Sequence, residues 1–235
     1  MLPDRADRAY IAGMLQIADG VFEVTAGFVH VHLVLTDDGV VLIDTGLPGR
    51  SAKIEQALAE TRRTIGEVRT ILLTHWHADH VGGAAALQRR CGARTVAHAI
   101  DAPVIRGDAP MPLTGLQKLT KYLTGTPEPV PVDEALSADG PVSVSGFSAF
   151  HTPGHTAGHV SFLLDQGDGV LFVGDAAAGA GTKVRRTPRL MSADVAAARS
   201  SVAKLAGLSF EVAVFGHGKA VTGGAVEKFR DLAAR

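Results

Sequence analysis

Residues 74–80 read Thr74-His75-Trp76-His77-Ala78-Asp79-His80 and directly follow the apolar run Ile71-Leu72-Leu73. Three imidazoles and a carboxylate thus fall within six residues. Imidazole nitrogens and carboxylate oxygens are the usual donors to zinc and its first-row neighbours. In an extended segment His75 and His77 project to one side, and Trp76 turns to the other. Asp79 and His80 are adjacent, so they diverge from that pair and can serve a second position. One short loop can therefore supply ligands to two metal ions.

The chain carries its own control. Phe28-Val29-His30-Val31-His32-Leu33 also spells His-x-His. There the pattern is strict alternation in a β-branched run, which reads as a half-buried strand with two histidines on one face. Spacing alone is a weak warrant for ligation. At residues 75–80 four donors crowd together at a strand end, and a solvated His-rich turn is a poorer account.

Of the 235 residues, 46% are hydrophobic and 20% charged, which suffices for a sizeable core. The formal net charge of −1 offers no overall basic field to draw the chain to nucleic acid or an anionic membrane. No apolar run approaches the roughly 20 residues that span a bilayer. Residues 1–8 lack the basic-then-apolar order of a signal peptide. The single cysteine, Cys91, permits no internal disulfide and suits a reducing compartment. The expectation is a cytoplasmic protein acting on a small molecule, without nucleic-acid or membrane partners.

Strands are expected at Val21–Thr25, Phe28–Leu35 and Val40–Ile43, the last two joined by an Asp37-Asp38-Gly39 turn. A helix follows over Ser51–Arg63, with Ile54, Ala57 and Leu58 at helical spacing. Arg69–Leu73 is a strand, Gly82-Gly83 opens an Ala-rich helix to about Arg90, and Arg94–Ala97 is a further strand. Six of the 11 prolines (103, 110, 112, 127, 129, 131) then flank an expected helix at Leu113–Leu123. The stretch 103–131 reads as a lid or spacer inserted in one domain covering 1–235; long connections of this kind are often functional. Its apolar helix could serve a homodimer interface. Beyond it, Val142–Val144, Phe147–His151, Val160–Leu164, Val170–Val173 and Val212–Phe215 read as strands. Ser192–Leu205 and Ala225–Leu232 read as helices.

More donors recur at the ends of apolar strands. They are His155 and His159 in Thr152-Pro153-Gly154-His155-Thr156-Ala157-Gly158-His159, Asp175 after Leu171-Phe172-Val173-Gly174, and His217 in Val214-Phe215-Gly216-His217-Gly218. Asp44, in Leu42-Ile43-Asp44-Thr45-Gly46, sits likewise. Singly, each has a dull explanation as a cap, a turn or a satisfied polar residue. Together, five glycine-flanked loops imply one rim where the strand ends meet.

This ordered set resembles the metallo-β-lactamase fold superfamily of metallohydrolases, from the early hairpin to His217. The resemblance implies an α/β fold, a four-layer αβ/βα sandwich of two mixed sheets flanked by helices, with metals at one sheet edge. It implies that His75, His77 and His155 hold one metal, that Asp79, His80 and His217 hold the other, and that Asp175 bridges both. Asp44 matches an aspartate that orients ligands from behind, and His159 a supporting position after the third ligand. The implied cofactors are two divalent ions, zinc first, with iron or manganese as the other candidates. Asp79 would orient a metal-bridging hydroxide and shuttle its proton.

Fold does not settle substrate. One group of zinc β-lactamases has Cys where Asp175 stands, and another lacks the bridging acid, which disfavours a β-lactamase. Glyoxalase II enzymes match the metal set but bind glutathione with a C-terminal helical domain, whereas 18 residues follow His217. Acyl-homoserine lactonases match in metals and size but place a tyrosine just beyond the bridging aspartate, where this chain has Ala176-Ala177-Ala178. Lys183, Arg185, Arg186 and Arg189 read as a solvated basic loop. The expected function is a dinuclear hydrolase of a small carboxylic ester, lactone or thioester. The alternative is a mononuclear iron oxidoreductase like the persulfide dioxygenases.

Overall fold

Alternating apolar strands and tight turns build the start of the chain as an antiparallel meander. The computed structural model describes residues 10–11, 14–113 and 124–235. The meander comprises β1 (Tyr10–Ile11), β2 (Met14–Ala18), β3 (Val21–Thr25), β4 (His30–Thr36) and β5 (Gly39–Ile43). The expected turn at Asp37-Asp38 is closed by pairing of Thr36 with Gly39.

After β5 the chain switches to parallel crossovers. These run through α1 (Ser51–Glu60), β6 (Val68–Leu72), α2 (Ala78–Val81), α3 (Ala84–Cys91), β7 (Arg94–His98), α4 (Ala102–Ile105) and β8 (Glu134–Leu136). β5 to β8 pair in parallel, which completes an eight-stranded sheet in the order β1 to β8. Helix α1 ends three residues short of the expected Arg63. Arg62 turns left-handed at φ 58°, and Arg63 N donates to Leu58 O, a common way to satisfy the last carbonyls.

The second sheet is built from β9 (Gly140–Pro141), β10 (Phe147–His151), β11 (Val160–Leu164), β12 (Val170–Phe172), β15 (Val212–Val214) and β17 (Val221–Thr222). Its order is β17-β15-β12-β11-β10-β9, with β12 and β15 parallel. A small third sheet joins β13 (Ala177–Ala180) to β14 (Val184–Arg186) and β16 (Gly218–Lys219). Helices α5 (Val195–Leu205) and α6 (Ala225–Ala233) complete the chain. The expected strand at Val142–Val144 is not formed. Val142 N donates to Phe147 O, and Phe147 N donates to Val144 O, so these valines make a tight turn between β9 and β10 and still pack on the core. Apart from Leu113, the helix expected at 113–123 lies outside the described residues.

Three apolar clusters fill the three interfaces of a four-layer α/β sandwich. Val31, Leu33, Leu42 and Ile71 of the first sheet pack with Ile54, Leu58 and Leu87 of its helices. Val34, Val41, Ile43 and Leu72, from the opposite face, meet Phe147, Phe162 and Phe172 of the second sheet. Leu171, Ala213 and Phe215 pack with Val202, Leu205 and Phe229 of α5 and α6. Both sheets bury two faces, so their central strands read as continuous apolar runs. The ends of β5, β6, β12 and β15 lie together, tied across the sheets by His30 N donating to Gly216 O and Val160 N to Thr74 O, each at 2.9 Å.

Candidate metal centre

The 74–80 loop leaves β6 extended and then turns helical. His77 has φ −64° and ψ 146°, and α2 begins at Ala78. This change sends His75 and His77 one way and Asp79 and His80 another, while Trp76 is buried in the outer core. Gly82 and Gly83 have a sharper purpose than opening a helix. A Cβ at Gly82 would run into Ala78 O and Pro48, and one at Gly83 would stand 2.7 Å from Thr45 O. Only glycine lets the β5–α1 loop cross so closely. That crossing holds the turn: Thr45 N and Oγ1 both donate to His80 O, at 2.7 and 2.8 Å.

Seven of the nine residues singled out in the sequence converge with their donor atoms inward. Among the described residues three groups could hold a metal ion: His75, His77 and His155; His75, His80 and Asp175; Asp79, His80 and His217. In the first, His77 Nδ1 lies 2.9 Å from His75 Nε2 and 2.8 Å from His155 Nε2. On the other side, His217 Nε2 lies 3.3 Å from Asp79 Oδ2 and 3.4 Å from Asp175 Oδ2, and His80 Nε2 lies 3.6 Å from Asp175 Oδ1. Asp175 Oδ2 also lies 3.3 Å from His155 Nε2, so this carboxylate stands between the two groups.

The remaining two, Asp44 and His159, stand behind the donors and hold them in place. Asp44 accepts from His80 Nδ1 at 2.7 Å and from Thr74 Oγ1 at 2.8 Å. Thr74 Oγ1 in turn lies 3.0 Å from His75 Nδ1, which turns Nε2 of both rings inward, that of His75 toward His77 Nδ1. Phe28 O accepts from His217 Nδ1 at 2.8 Å with the same effect. His159 Nε2 accepts from Asp175 N at 2.9 Å. Its Nδ1 therefore donates to Thr152 Oγ1, which donates to Ser161 Oγ, which donates to Val173 O. His159 thus positions the backbone of Asp175.

The electrostatics of this arrangement call for cations. Burial, reinforced by neighbouring imidazoles, pushes His75 well below its usual range and His77 to about 3. Burial also pulls on His80 and His217, but the Asp175 carboxylate, helped by Asp44 and Asp79 at His80 and by Asp79 at His217, raises them to about 9 and about 11. Asp175 lies well below the carboxylate range, because His80 and His217 outweigh its own burial. His80 Nε2 and Asp175 Oδ1 are buried with no hydrogen-bond partner. Imidazole nitrogens turned toward one another beside two carboxylates fit metal ions well.

Asp101 is a functional residue that the sequence reading passes over. It precedes α4 with a proline nearby and looks like an ordinary helix cap, yet it makes no cap bond. Instead its buried carboxylate accepts from Trp76 N at 3.3 Å, Thr156 Oγ1 at 2.8 Å and Gly158 N at 2.8 Å. It therefore clamps the His75–His77 loop to the His155 loop. Burial is the largest influence on it and raises its pKa. Thr187 was likewise unmarked; its Oγ1 donates to Asp175 O at 2.6 Å.

The inward donors open on a cleft of about 490 Å³. Phe28, Trp76, Met111, Leu113, Ala177, Ala178 and Met191 give it apolar walls, and His77, Asp79, His155, Asp175 and His217 form its floor. Phe28 is 55% exposed and stacks on His217 at 5.8 Å between ring centroids. No lysine or arginine lines the cleft among the described residues. Lys183, Arg185 and Arg189 are exposed, and Arg186 donates to Leu232 O on α6.

Residues 24–217 match the family model of the metallo-beta-lactamase superfamily. The "Probable metallo-hydrolase YflN" of Bacillus subtilis is 27% identical over 88% of this chain and 87% of its own length. A hydroxyacylglutathione hydrolase of Pseudomonas aeruginosa is 32% identical over 72% of this chain, and the match spans 53% of that enzyme. Among solved structures, BJP-1, a subclass B3 metallo-β-lactamase of Bradyrhizobium japonicum, superposes with a TM-score of 0.69 at 25% identity, covering 87% of this chain and 77% of that one. A β-lactamase from Chitinophaga pinensis shares the fold, with a TM-score of 0.72 at 20% identity over 100% of this chain and 94% of that one. The sandwich, the strand-end donors and a family match spanning the whole site lead to one conclusion: the chain belongs to the metallo-β-lactamase superfamily of metal-dependent hydrolases.

Proposed function

We propose that the chain is a dinuclear metal hydrolase, with zinc as the first candidate metal, acting on a small ester, lactone or thioester with an apolar acyl group. One observation carries this reading: two donor groups share Asp175 and open together onto a single apolar cleft. His75, His77 and His155 would hold one ion, Asp79, His80 and His217 the other, with Asp175 between them. Bound there, such ions supply a hydroxide nucleophile at neutral pH and polarise an acyl oxygen.

The chain's own residues supply the rest. Asp79 faces the cleft with Oδ2 3.3 Å from His217 Nε2, where it can orient the nucleophile and carry its proton. Phe28, Trp76 and Met191 offer apolar area to the acyl group and keep water from the floor. Met111, Leu113, Thr124 and Gly125 of the 103–131 insertion line the cleft, and we assign these residues as a wall of the substrate site. The apolar walls, with no lysine or arginine among the described lining residues, favour an apolar acyl group over a charged phosphodiester backbone.

The test is turnover of zinc-loaded protein on a panel of lactones, thioesters, simple esters, β-lactams and phosphodiesters. Hydrolysis of an apolar acyl ester, lactone or thioester, abolished by Asp79→Asn with the fold intact, is the expected result. Turnover confined to phosphodiesters, or near-full activity in Asp79→Asn, contradicts the reading.

A further inference from the structure

Between Asp175 and Glu211 the chain carries six lysines and arginines but one acid, Asp194. That is a local excess of positive charge in a chain whose formal net charge is −1. Part of it is solvated, as the sequence suggests: Lys183 and Arg185, on the hairpin of β13 and β14, are exposed. The rest converges. Arg186 at the end of β14, Arg189 in the turn that follows and Arg199 on α5 line one cavity of about 150 Å³.

Val195, Ala198, Arg199 and Val202 reach this cavity from one face of α5, at helical spacing. The buried Ala176 and Val202 give it an apolar floor, and the exposed Arg189 and Arg199 a cationic rim. Arg186 Nη2 donates to Leu232 O at 2.8 Å, but its Nε is buried with no hydrogen-bond partner. An unmet buried donor on a charged group is costly. Elsewhere the fold pairs arginines with acids, as at Arg63 with Glu67 and Arg89 with Glu128. Among the described residues no carboxylate pairs with Arg186, Arg189 or Arg199. Asp194 does not line the cavity, and its Oδ1 is committed to Ala196 N and Ala197 N at the start of α5. Three guanidinium groups around one space repel one another, and an oxyanion turns that repulsion into charge-assisted hydrogen bonds. Ser192 Oγ, whose bond to Pro188 O is long at 3.3 Å, adds a hydroxyl donor to the lining.

We propose that Arg186, Arg189 and Arg199 form a binding site for an oxyanion, a carboxylate or phosphate group. The site adjoins the metal cleft: Thr187 lines both, and its Oγ1 donates to Asp175 O. Two sources share this chemistry. One is a free anion. The other, which rests on the hydrolase reading, is the charged end of an ester whose acyl group lies in the apolar cleft.

The first arm of the test is calorimetric titration of zinc-loaded protein with inorganic phosphate at constant ionic strength. Removing two guanidinium partners in Arg189→Gln with Arg199→Gln should weaken binding about tenfold or more. Lys183→Gln with Arg185→Gln removes the same charge outside the cavity and should leave binding within about twofold of wild type. The second arm compares two esters of one apolar acid, ended by a carboxylate or by its neutral amide. A KM raised about tenfold in the Arg189/Arg199 variant for the carboxylate ester alone, with kcat unchanged, assigns the site to the substrate's charged end. Equal KM values alongside weakened phosphate binding assign it to a free anion. Phosphate binding that is absent from wild type, equal in wild type and the Arg189/Arg199 variant, or weakened equally by the Lys183/Arg185 variant overturns the proposal. Failure to turn over either ester bears on the hydrolase reading alone, because the phosphate arm requires no turnover.

Discussion

Asp44 Oδ2 lies 2.7 Å from His80 Nδ1 and 2.8 Å from Thr74 Oγ1, so one carboxylate orients two candidate ligands, His80 directly and His75 through Thr74. Asp44 takes a left-handed backbone at φ 60° to do so, a conformation that Asp and Asn tolerate better than most residues. Asp44→Asn keeps that backbone and removes one of the charges that, after Asp175, raise His80. Metal affinity should fall about 10- to 100-fold, measured by competition with a chromophoric chelator. Unchanged affinity would show that the carboxylate does not tune these rings.

The clamp at Asp101 is a stability device. Asp101→Ala leaves Trp76 N, Thr156 Oγ1 and Gly158 N without their acceptor in a buried setting. Unfolding in denaturant should show a loss of about 3 kcal/mol, with metal retention weakened because the two ligand loops are no longer joined. A loss within about 0.5 kcal/mol, as for an ordinary surface change, would contradict the clamp.

Gly216 is required for the approach of two donors. A Cβ there would overlap the Asp175 carboxylate and stand 2.6 Å from His80 Cε1. Gly216→Ala should therefore cut kcat about 100-fold by displacing groups by roughly an ångström. Gly66→Ala, where the nearest atom stands 4.0 Å away, is the control and should leave kcat near wild type.

The metal-free protein should have its own pH dependence. His80 and His217 are raised from 6.5 to about 9 and about 11 by the carboxylates around them. A raised histidine contributes stability that is complete below its unfolded pKa and is lost as pH rises through the folded value. Unfolding temperatures of metal-free protein should thus decline from about pH 6.5 upward through pH 9. Metal-loaded protein should not follow, because the ions replace those protons. A metal-free unfolding temperature flat across this range would contradict the charge balance assigned to the site.

The site's donors are legible in the sequence for a physical reason. Each lies just beyond an apolar strand, and His155, Asp175 and His217 adjoin glycine, so strand order brings Asp44, His75–His80, His155, Asp175 and His217 to one edge. Asp101 is illegible because its partners, Trp76, Thr156 and Gly158, are distant in sequence and its local setting imitates a helix cap. The short strands Ala177–Ala180 and Val184–Arg186 lack an apolar run because their small third sheet buries little. At Val142–Val144 alternation suggests a strand, but the hairpin register places the pairing at Gly140–Pro141.

Metal analysis of the protein loaded with first-row metal tests the two-ion centre most directly. The account predicts about two first-row metal equivalents per chain, falling to about one when His217→Ala is added. A single tightly bound iron, unchanged by His217→Ala, would contradict it.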